Sequence, residues 1–210
     1  MDWLKLVQRE GAIAVIRSAH LELGQQMATA VAQGGMHLIE ITWNSDRAAE
    51  LIQHLRQELP HCTIGAGTLL TLADVQAAIA AGAQFLFTPH VNPRLIQAAQ
   101  SQQIPMVAGA LSPTEIVMAW QAGATCVKVF PVQAVGGVSY IQALQGPLGQ
   151  IPLVPTGGVT VANAPDFLAA GAIAVGLSGS LFPAAAIRSG QWEAITTQAR
   201  QLVQTIRSAP

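Results

Sequence analysis

The sequence predicts an α/β chain folded as a (β/α)8 TIM barrel with a short N-terminal helix, and three observations predict it. Eight short apolar runs rich in Val and Ile recur about every twenty to twenty-six residues. Amphipathic stretches with apolar residues at helical spacing lie between them. A small-residue step built on glycine leads into four of the runs. An open, doubly wound sheet is the alternative, because alternation of strand and helix does not by itself dictate closure. The 210 residues suit one barrel, and no linker or shift of composition divides 1–210, so a single barrel domain is expected.

Taken in order, the chain opens on a short amphipathic segment around Lys5, expected to be a helix with the lysine in solvent. The first run, Ile13–Ile16, is followed by helical spacing over Leu23–Gln33. The second, Leu38–Ile41, precedes Asp46–Leu59; the third, Thr63–Ala66, precedes Leu72–Ala81; the fourth, Phe85–Phe87, precedes Pro93–Gln102. Met106–Ala108, Val127–Phe130, Leu153–Val154 and Ala174–Leu177 complete the set. Each run is too short for a helix, and its unbroken apolar character suits a parallel strand buried on both faces. The step glycines Gly35, Gly82, Gly123 and Gly171 are 47, 41 and 48 residues apart, about two β/α units each time. A glycine there ends the helix and releases the chain into the next strand.

Composition narrows the function. Hydrophobic residues make up 51% of the chain and charged residues 10%, which excludes a disordered chain or a coiled coil and points to surface hidden in an oligomer. The net charge of −1 with no basic run argues against nucleic acid or an anionic membrane as partner. Residues 129–165 and 167–187 carry no charge, yet prolines, glycines and glutamines segment them into strand, turn and helix, so no membrane span is expected. Cys62 and Cys126 show no metal-ligand spacing and read as small buried hydrophobes. With Asp2, Lys5, Arg9 and Glu10 in place of a secretory leader, a cytoplasmic protein is expected.

In such a barrel the ligand site lies at the C-terminal ends of the strands. Lysine occurs only as Lys5 and Lys128. Lys128 stands within Ala-Thr-Cys-Val-Lys-Val-Phe-Pro, in the middle of the sixth strand. Burying an ammonium there is costly, and an amine that sheds its proton can attack a carbonyl to form a Schiff base. A strand-edge lysine whose head snorkels to water is the alternative. Glu40, in His-Leu-Ile-Glu-Ile-Thr of the second strand, is the matching acid, able to shuttle protons beside such an amine; a purely structural ion pair with Lys128 is its alternative. Arg17 closes the first strand and has the planar fork to hold a substrate carboxylate, or is merely a surface arginine.

Two glycine turns follow the last strands: Pro155-Thr156-Gly157-Gly158-Val159 and Leu177-Ser178-Gly179-Ser180. Phosphate sites of barrels use these two loops, where glycines let backbone N–H groups approach an anion. Gly65-Ala66-Gly67-Thr68 lacks a following lysine and reads as close packing plus a threonine hydroxyl. The five histidines have no ligand spacing, and only His90 falls near the predicted mouth, so no metal site is expected.

Leu38-Ile39-Glu40-Ile41-Thr42, Ile64-Gly65-Ala66-Gly67-Thr68, Thr88-Pro89-His90, Val127-Lys128-Val129-Phe130-Pro131 and Val154-Pro155-Thr156-Gly157-Gly158-Val159 occur in this order. Together they resemble the 2-keto-3-deoxy-6-phosphogluconate (KDPG) aldolases, a class I family that includes 4-hydroxy-2-oxoglutarate (KHG) aldolases. The resemblance implies a homotrimeric lyase of the Entner–Doudoroff route that needs no metal or organic cofactor and splits KDPG into pyruvate and glyceraldehyde 3-phosphate. It implies Lys128 as the Schiff-base residue and Glu40 as general acid/base. Thr68, Pro89, Phe130 and Thr156 would line the pyruvate end, and Gly157, Gly158, Gly179 and Ser180 would hold the phosphate. Many members carry an arginine four residues after the glutamate, where this chain has Asn44. Others place it on the first strand, as Arg17 stands here. Asn44 also resembles the 2-keto-3-deoxy-6-phosphogalactonate aldolases, whereas Thr156 agrees with the KDPG group. KHG cleavage, oxaloacetate decarboxylation by the same enamine route, another reaction on a phosphate-binding barrel, and a non-catalytic metabolite-binding barrel are the competing functions.

Overall fold

Eight parallel strands form one sheet in the order β7-β6-β5-β4-β3-β2-β1-β8 in a computed structural model that describes residues 3–208. The strands are β1 Ala12–Ile16, β2 Leu38–Thr42, β3 Thr63–Gly67, β4 Leu86–Phe87, β5 Met106–Ala110, β6 Cys126–Val129, β7 Leu153–Pro155 and β8 Val175–Leu177. The two ends of the sheet meet: the Ile173 N–H donates to the Leu153 carbonyl at 3.0 Å, and Thr156 bridges to Gly176. That contact makes the sheet a barrel and removes the open doubly wound alternative.

The strands differ from the apolar runs at their ends. β2, β3, β5 and β7 run on to Thr42, Gly67, Ala110 and Pro155, because parallel pairing is a backbone interaction that continues past the last apolar side chain. β6 stops at Val129, so Phe130 leaves the strand, and β8 begins one residue late, at Val175. β4 is reduced to Leu86–Phe87, although the Phe85 carbonyl still accepts the Ala66 amide at 3.0 Å.

The helices are α1 Trp3–Glu10, α2 Leu21–Gln33, α3 Ala48–Glu58, α4 Leu72–Ala80, α5 Pro93–Ser101, α6 Pro113–Gln121, α7 Val138–Leu148, α8 Ala164–Ala169, α9 Ala184–Arg188 and α10 Trp192–Ser208. Their starts carry local signals. Thr71 and Asp74 exchange side-chain and backbone hydrogen bonds at the start of α4, and Ser112 and Glu115 do the same for α6. Their ends repeat one device. After α4 the Gly82 N–H donates to the Ile79 carbonyl and the Ala83 N–H to the Ala78 carbonyl, with Gly82 at φ +89°. The same pair of bonds recurs around Gly35, Gly123 and Gly171, so the repeated glycines of the sequence are Schellman turns that aim four strands.

Side chains alternate across the sheet and build two cores. Ile39, Ile41, Val127, Val129 and their equivalents face the helices. Ile13, Leu38, Phe85, Phe87, Val107, Cys126, Val154 and Ala174 fill the barrel interior, and α1 lies against them through buried Val7. The Trp3 ring sits 5.5 Å from Phe85, while Lys5 faces solvent as expected and Asp2 lies outside the described residues. Cys62 and Cys126 are free and buried, and burial first of all pushes their thiols up to about 11 and about 12. No helix among the described residues is long and apolar enough to cross a membrane.

Gly82 isolates the contribution of one turn, because a Cβ added there would meet nothing within 4 Å. Gly82→Ala should therefore destabilise the protein by the left-handed backbone penalty alone, about 1–2 kcal/mol, read as a lowered midpoint in denaturant unfolding.

Candidate active site

Toward the C-terminal ends of the strands the interior core gives way to positions that carry polar and charged groups. On β2 the inward series is Leu38, Glu40, Thr42; on β6 it is Cys126, then Lys128. Glu40 pairs in register with Val15 and Gly65, and Lys128 with Gly109 and Val154. Each charged residue thus sits one inward step beyond a core residue, on strands four apart in an eight-stranded barrel, which places them on opposite walls. They are the two buried charged residues among those described, Glu40 at 1% exposure and Lys128 at 5%.

Lys128 does not snorkel. Its ammonium lies 5.4 Å from the centre of the Phe87 ring and 5.0 Å from that of Phe130, within cation–π range of both. Nor does it form a direct ion pair with Glu40, since both carboxylate oxygens of Glu40 are buried without a hydrogen-bond partner. Burial holds the Glu40 carboxyl above its ordinary value of 4.5, an effect opposed by the charges of Lys128 and then Arg17. A carboxyl placed this way takes and gives a proton nearer neutrality than an exposed one does.

A cavity of about 560 Å³ opens over this pair at the C-terminal ends of the strands. Arg17, Thr68, Pro89, Phe130, Thr156, Gly157, Gly158, Gly179 and Ser180 all line it together with Lys128 and Glu40. Arg17 therefore borders the cavity even though much of the residue is exposed, whereas Asn44 is exposed and His90 lies outside the lining. The end of β1 that carries Arg17 is fastened down. The Ser18 N–H donates to Ser45 Oγ at 3.1 Å, the Asp46 N–H donates to the Ser18 carbonyl at 3.0 Å, and Ser45 Oγ lies 3.1 Å from Thr42 Oγ1. Val15, Thr160 and Gly176 also line the cavity without having stood out in the sequence, as do Thr42, Val159 and Ser178, which fall within the motifs quoted above but were given no role there. The period-two alternation through Arg17, Glu40 and Ala174 was the signal that could have found Val15, Thr42, Gly176 and Ser178.

The glycine loops form the far end. Gly157 and Gly158 take φ of +85° and +93°, a consecutive pair that side chains rarely adopt. The loop is braced by the Thr160 N–H to Asn163 Oδ1 at 2.7 Å and the Asn163 N–H to Thr160 Oγ1 at 3.1 Å. Ser180 Oγ accepts the Val161 N–H at 3.3 Å and so ties the two loops together. Among the described residues the N–H groups of Gly158, Gly179 and Ser180 donate to no protein acceptor, which leaves them open to an anion. Thr68 takes φ of +60°, a strained setting for a β-branched residue and one that clusters at ligand sites. Among the described residues no group of three or more His, Cys, Asp or Glu could hold a metal ion.

Comparison with known proteins finds sequence and fold relatives over nearly the whole chain. The family model "Aldolase: KDPG and KHG aldolase" matches residues 5–198. The 2-dehydro-3-deoxy-phosphogluconate aldolase of Dickeya dadantii is 36% identical over 191 residues, 91% of this chain and 90% of that protein. The KDPG aldolase of Legionella pneumophila, solved with pyruvate captured as a covalent carbinolamine intermediate, superposes with a TM-score of 0.88 at 29% identity, covering 96% of this chain and 98% of that one. A native KDPGal structure gives a TM-score of 0.84 at 31% identity, covering 94% and 95%.

The raised Glu40 carboxyl makes a stability prediction with a definite sign. The folded protein binds that proton more tightly than the unfolded chain does, so the contribution is fully favourable below the ordinary value of 4.5 and is lost as pH climbs from there through the raised value. Glu40→Gln, which carries no charge, should be more stable than wild type at neutral pH and lose that advantage in acid. Thermal unfolding at several pH values checks this, and an advantage that grows in acid would refute the stated burial effect.

Proposed function

The chain belongs to the KDPG and KHG aldolase family, and from that membership we propose that it is a class I aldolase cleaving KDPG into pyruvate and D-glyceraldehyde 3-phosphate through a Schiff base on Lys128. The observation that carries this reading is the pair of buried charges facing one cavity from opposite walls without touching, with phenylalanines around the amine. The Legionella relative's carbinolamine with pyruvate supports the same covalent chemistry here.

The reaction follows from the geometry. Unprotonated Lys128 adds to the keto carbon, C2, and Glu40, acting through a water, supplies and removes the protons that turn carbinolamine into iminium with loss of water. The iminium is the electron sink. Glu40 or its water takes the proton from the hydroxyl on C4, the C3–C4 bond breaks, and its electrons settle in an enamine while glyceraldehyde 3-phosphate departs as the aldehyde. Protonation of the enamine at C3 and addition of water to the imine release pyruvate and restore the free amine. Arg17 binds the carboxylate beside C2, Thr68, Pro89, Phe130 and Thr156 enclose the pyruvate portion, and the N–H groups at Gly157, Gly158, Gly179 and Ser180 receive the phosphate. No step calls for a metal or an organic cofactor.

A second reading is cleavage of the epimeric 2-keto-3-deoxy-6-phosphogalactonate. The resemblance at Asn44 supports that substrate, while Thr156 favours KDPG. KHG, which lacks a phosphate, would use the pyruvate end alone. The enzyme acts in the cytoplasm as a homotrimer, and the exposed Leu70, Leu72, Met118 and Trp120 together with the low charge content support association of copies.

Borohydride reduction in the presence of pyruvate should label Lys128 and leave Lys5 untouched. The two lysines make the peptide map unambiguous, and labelling of Lys5 alone, or of neither, would remove the Schiff-base reading. Arg17→Ala should weaken binding of every 2-keto acid by about 1.5–3 kcal/mol, roughly one to two orders of magnitude in affinity. Ser180→Asp can still accept the Val161 amide but sets a carboxylate against the phosphate, so phosphorylated substrates should suffer while KHG cleavage stays near wild type. Steady-state kinetics on both substrates separate the two ends, and equal losses would mean that the substrate lies the other way round.

A further inference from the structure

We propose that Gly67 is a positioning residue: the side-chain space it leaves empty on β3 is the seat of the Glu40 carboxylate and holds that group out of contact with Lys128. The inference rests on the aldolase reading above, in which Glu40 moves the protons.

Three observations carry it. A Cβ built on Gly67 would overlap Oε1 and Cδ of Glu40 and lie 2.7 Å from its Cγ, and these are its three nearest neighbours. The backbone of Gly67 is not among those with positive φ, so glycine is needed here for space and not for conformation. Neither carboxylate oxygen of Glu40 has a hydrogen-bond partner, so no polar contact within the protein holds the side chain in place. Shape does. Glu40 stands opposite Gly65 in the register, and its side chain climbs beside β3 into the room left at Gly67, which pairs with Thr42.

The neighbouring glycine shows that the seat is specific. A Cβ on Gly65 would run into the ring of Phe85, with Cγ at 2.6 Å, so β3 presents two side-chain-free places on its inner face. The lower is filled by a packed aromatic core residue and the upper by the acid. The charged groups facing Glu40 are Arg17, just beyond the end of β1, and Lys128 from β6; β3 offers none. Alanine at 67 would turn the carboxylate towards the cavity, where those two cations stand. A carboxylate turned to the lysine would occupy the amine that adds to C2 and could no longer serve the C4 hydroxyl.

The test compares Gly67→Ala, Gly65→Ala and Glu40→Ala, with the Gly67→Ala/Glu40→Ala double variant. Gly67→Ala should stay folded, since only a movable side chain must yield, yet lose about 10²-fold in kcat, as expected when a general acid–base group is misplaced. The acid limb of its pH–rate profile should move to lower pH as the carboxyl leaves its desolvated seat. In the Glu40→Ala background the same substitution should change nothing further. Gly65→Ala should lower the unfolding midpoint with the acid limb in place. Wild-type turnover and an unmoved acid limb in Gly67→Ala, or an equal loss with and without Glu40, would overturn the seat while leaving the aldolase reading intact. Should Gly67→Ala not fold, folding restored by Glu40→Ala identifies the overlap as the cause, and folding not restored overturns the proposal. Full turnover of Glu40→Ala itself would instead overturn the role of Glu40.

Discussion

Two opposite charges buried in one cavity without touching are the constraint around which this barrel is organised. Removing a charge from water costs several kcal/mol even in a protein, and a direct ion pair would recover part of that. Here Glu40 and Lys128 stand on opposite walls, and the carboxylate has no hydrogen-bond partner. The cation is offset by the faces of Phe87 and Phe130, and the anion partly by the fields of Lys128 and Arg17. The remaining cost falls on the fold. An amine and an acid left unsatisfied by each other are available to a third party, which in the aldolase reading is the substrate with its water.

That cost is met by a division of labour along the barrel axis. Below the pair, the interior is closed by Phe85, Phe87, Leu38, Val107, Val154 and the α1 residues Val7 and Trp3. Around it, aliphatic residues on the outer faces of the strands meet the helices in a continuous core. Above it, the chain is built from loops whose backbone is fixed by hydrogen bonds, some local, as in the Thr160–Asn163 exchange, and some between distant segments, as in the Ser18–Ser45 contact. The packed interior core is thereby concentrated at the N-terminal end and the cavity at the other, the usual polarity of this architecture. The small inward residues Gly65, Gly67 and Gly176 belong to the same design, each leaving room for a neighbour's larger side chain: Phe85, Glu40 and Thr156.

Much of this was legible in the sequence because it follows from local rules. The spacing of apolar runs located all eight strands to within a residue or two. The recurrent glycine step marked four helix ends, since a left-handed turn residue is nearly always glycine. Scarcity singled out Lys128, and an acid inside an apolar run singled out Glu40, since burying a charge demands a reason. The motif resemblance added Thr68, Pro89, Phe130 and the glycine-loop residues, and all of them line the same cavity.

Other features are decided only by contacts between distant parts of the chain. Closure rests on Ile173 meeting Leu153 and Thr156 meeting Gly176, and no local pattern encodes where the two ends of a sheet will lie. The choice between an ion pair and two separated charges depends on the diameter of the closed barrel and on the empty place at Gly67. The strand ends at Thr42 and Gly67 extend beyond the apolar runs because the backbone of a neighbouring strand, and not their own side chains, keeps them paired. The sequence by itself therefore determined the elements, their order and which two charged residues lie inside apolar strands, all of which are set by residues near one another in the chain. Tertiary structure alone decided that Arg17 borders the cavity and Asn44 does not, because that depends on how two strand ends 27 residues apart are tied together through Ser18 and Ser45.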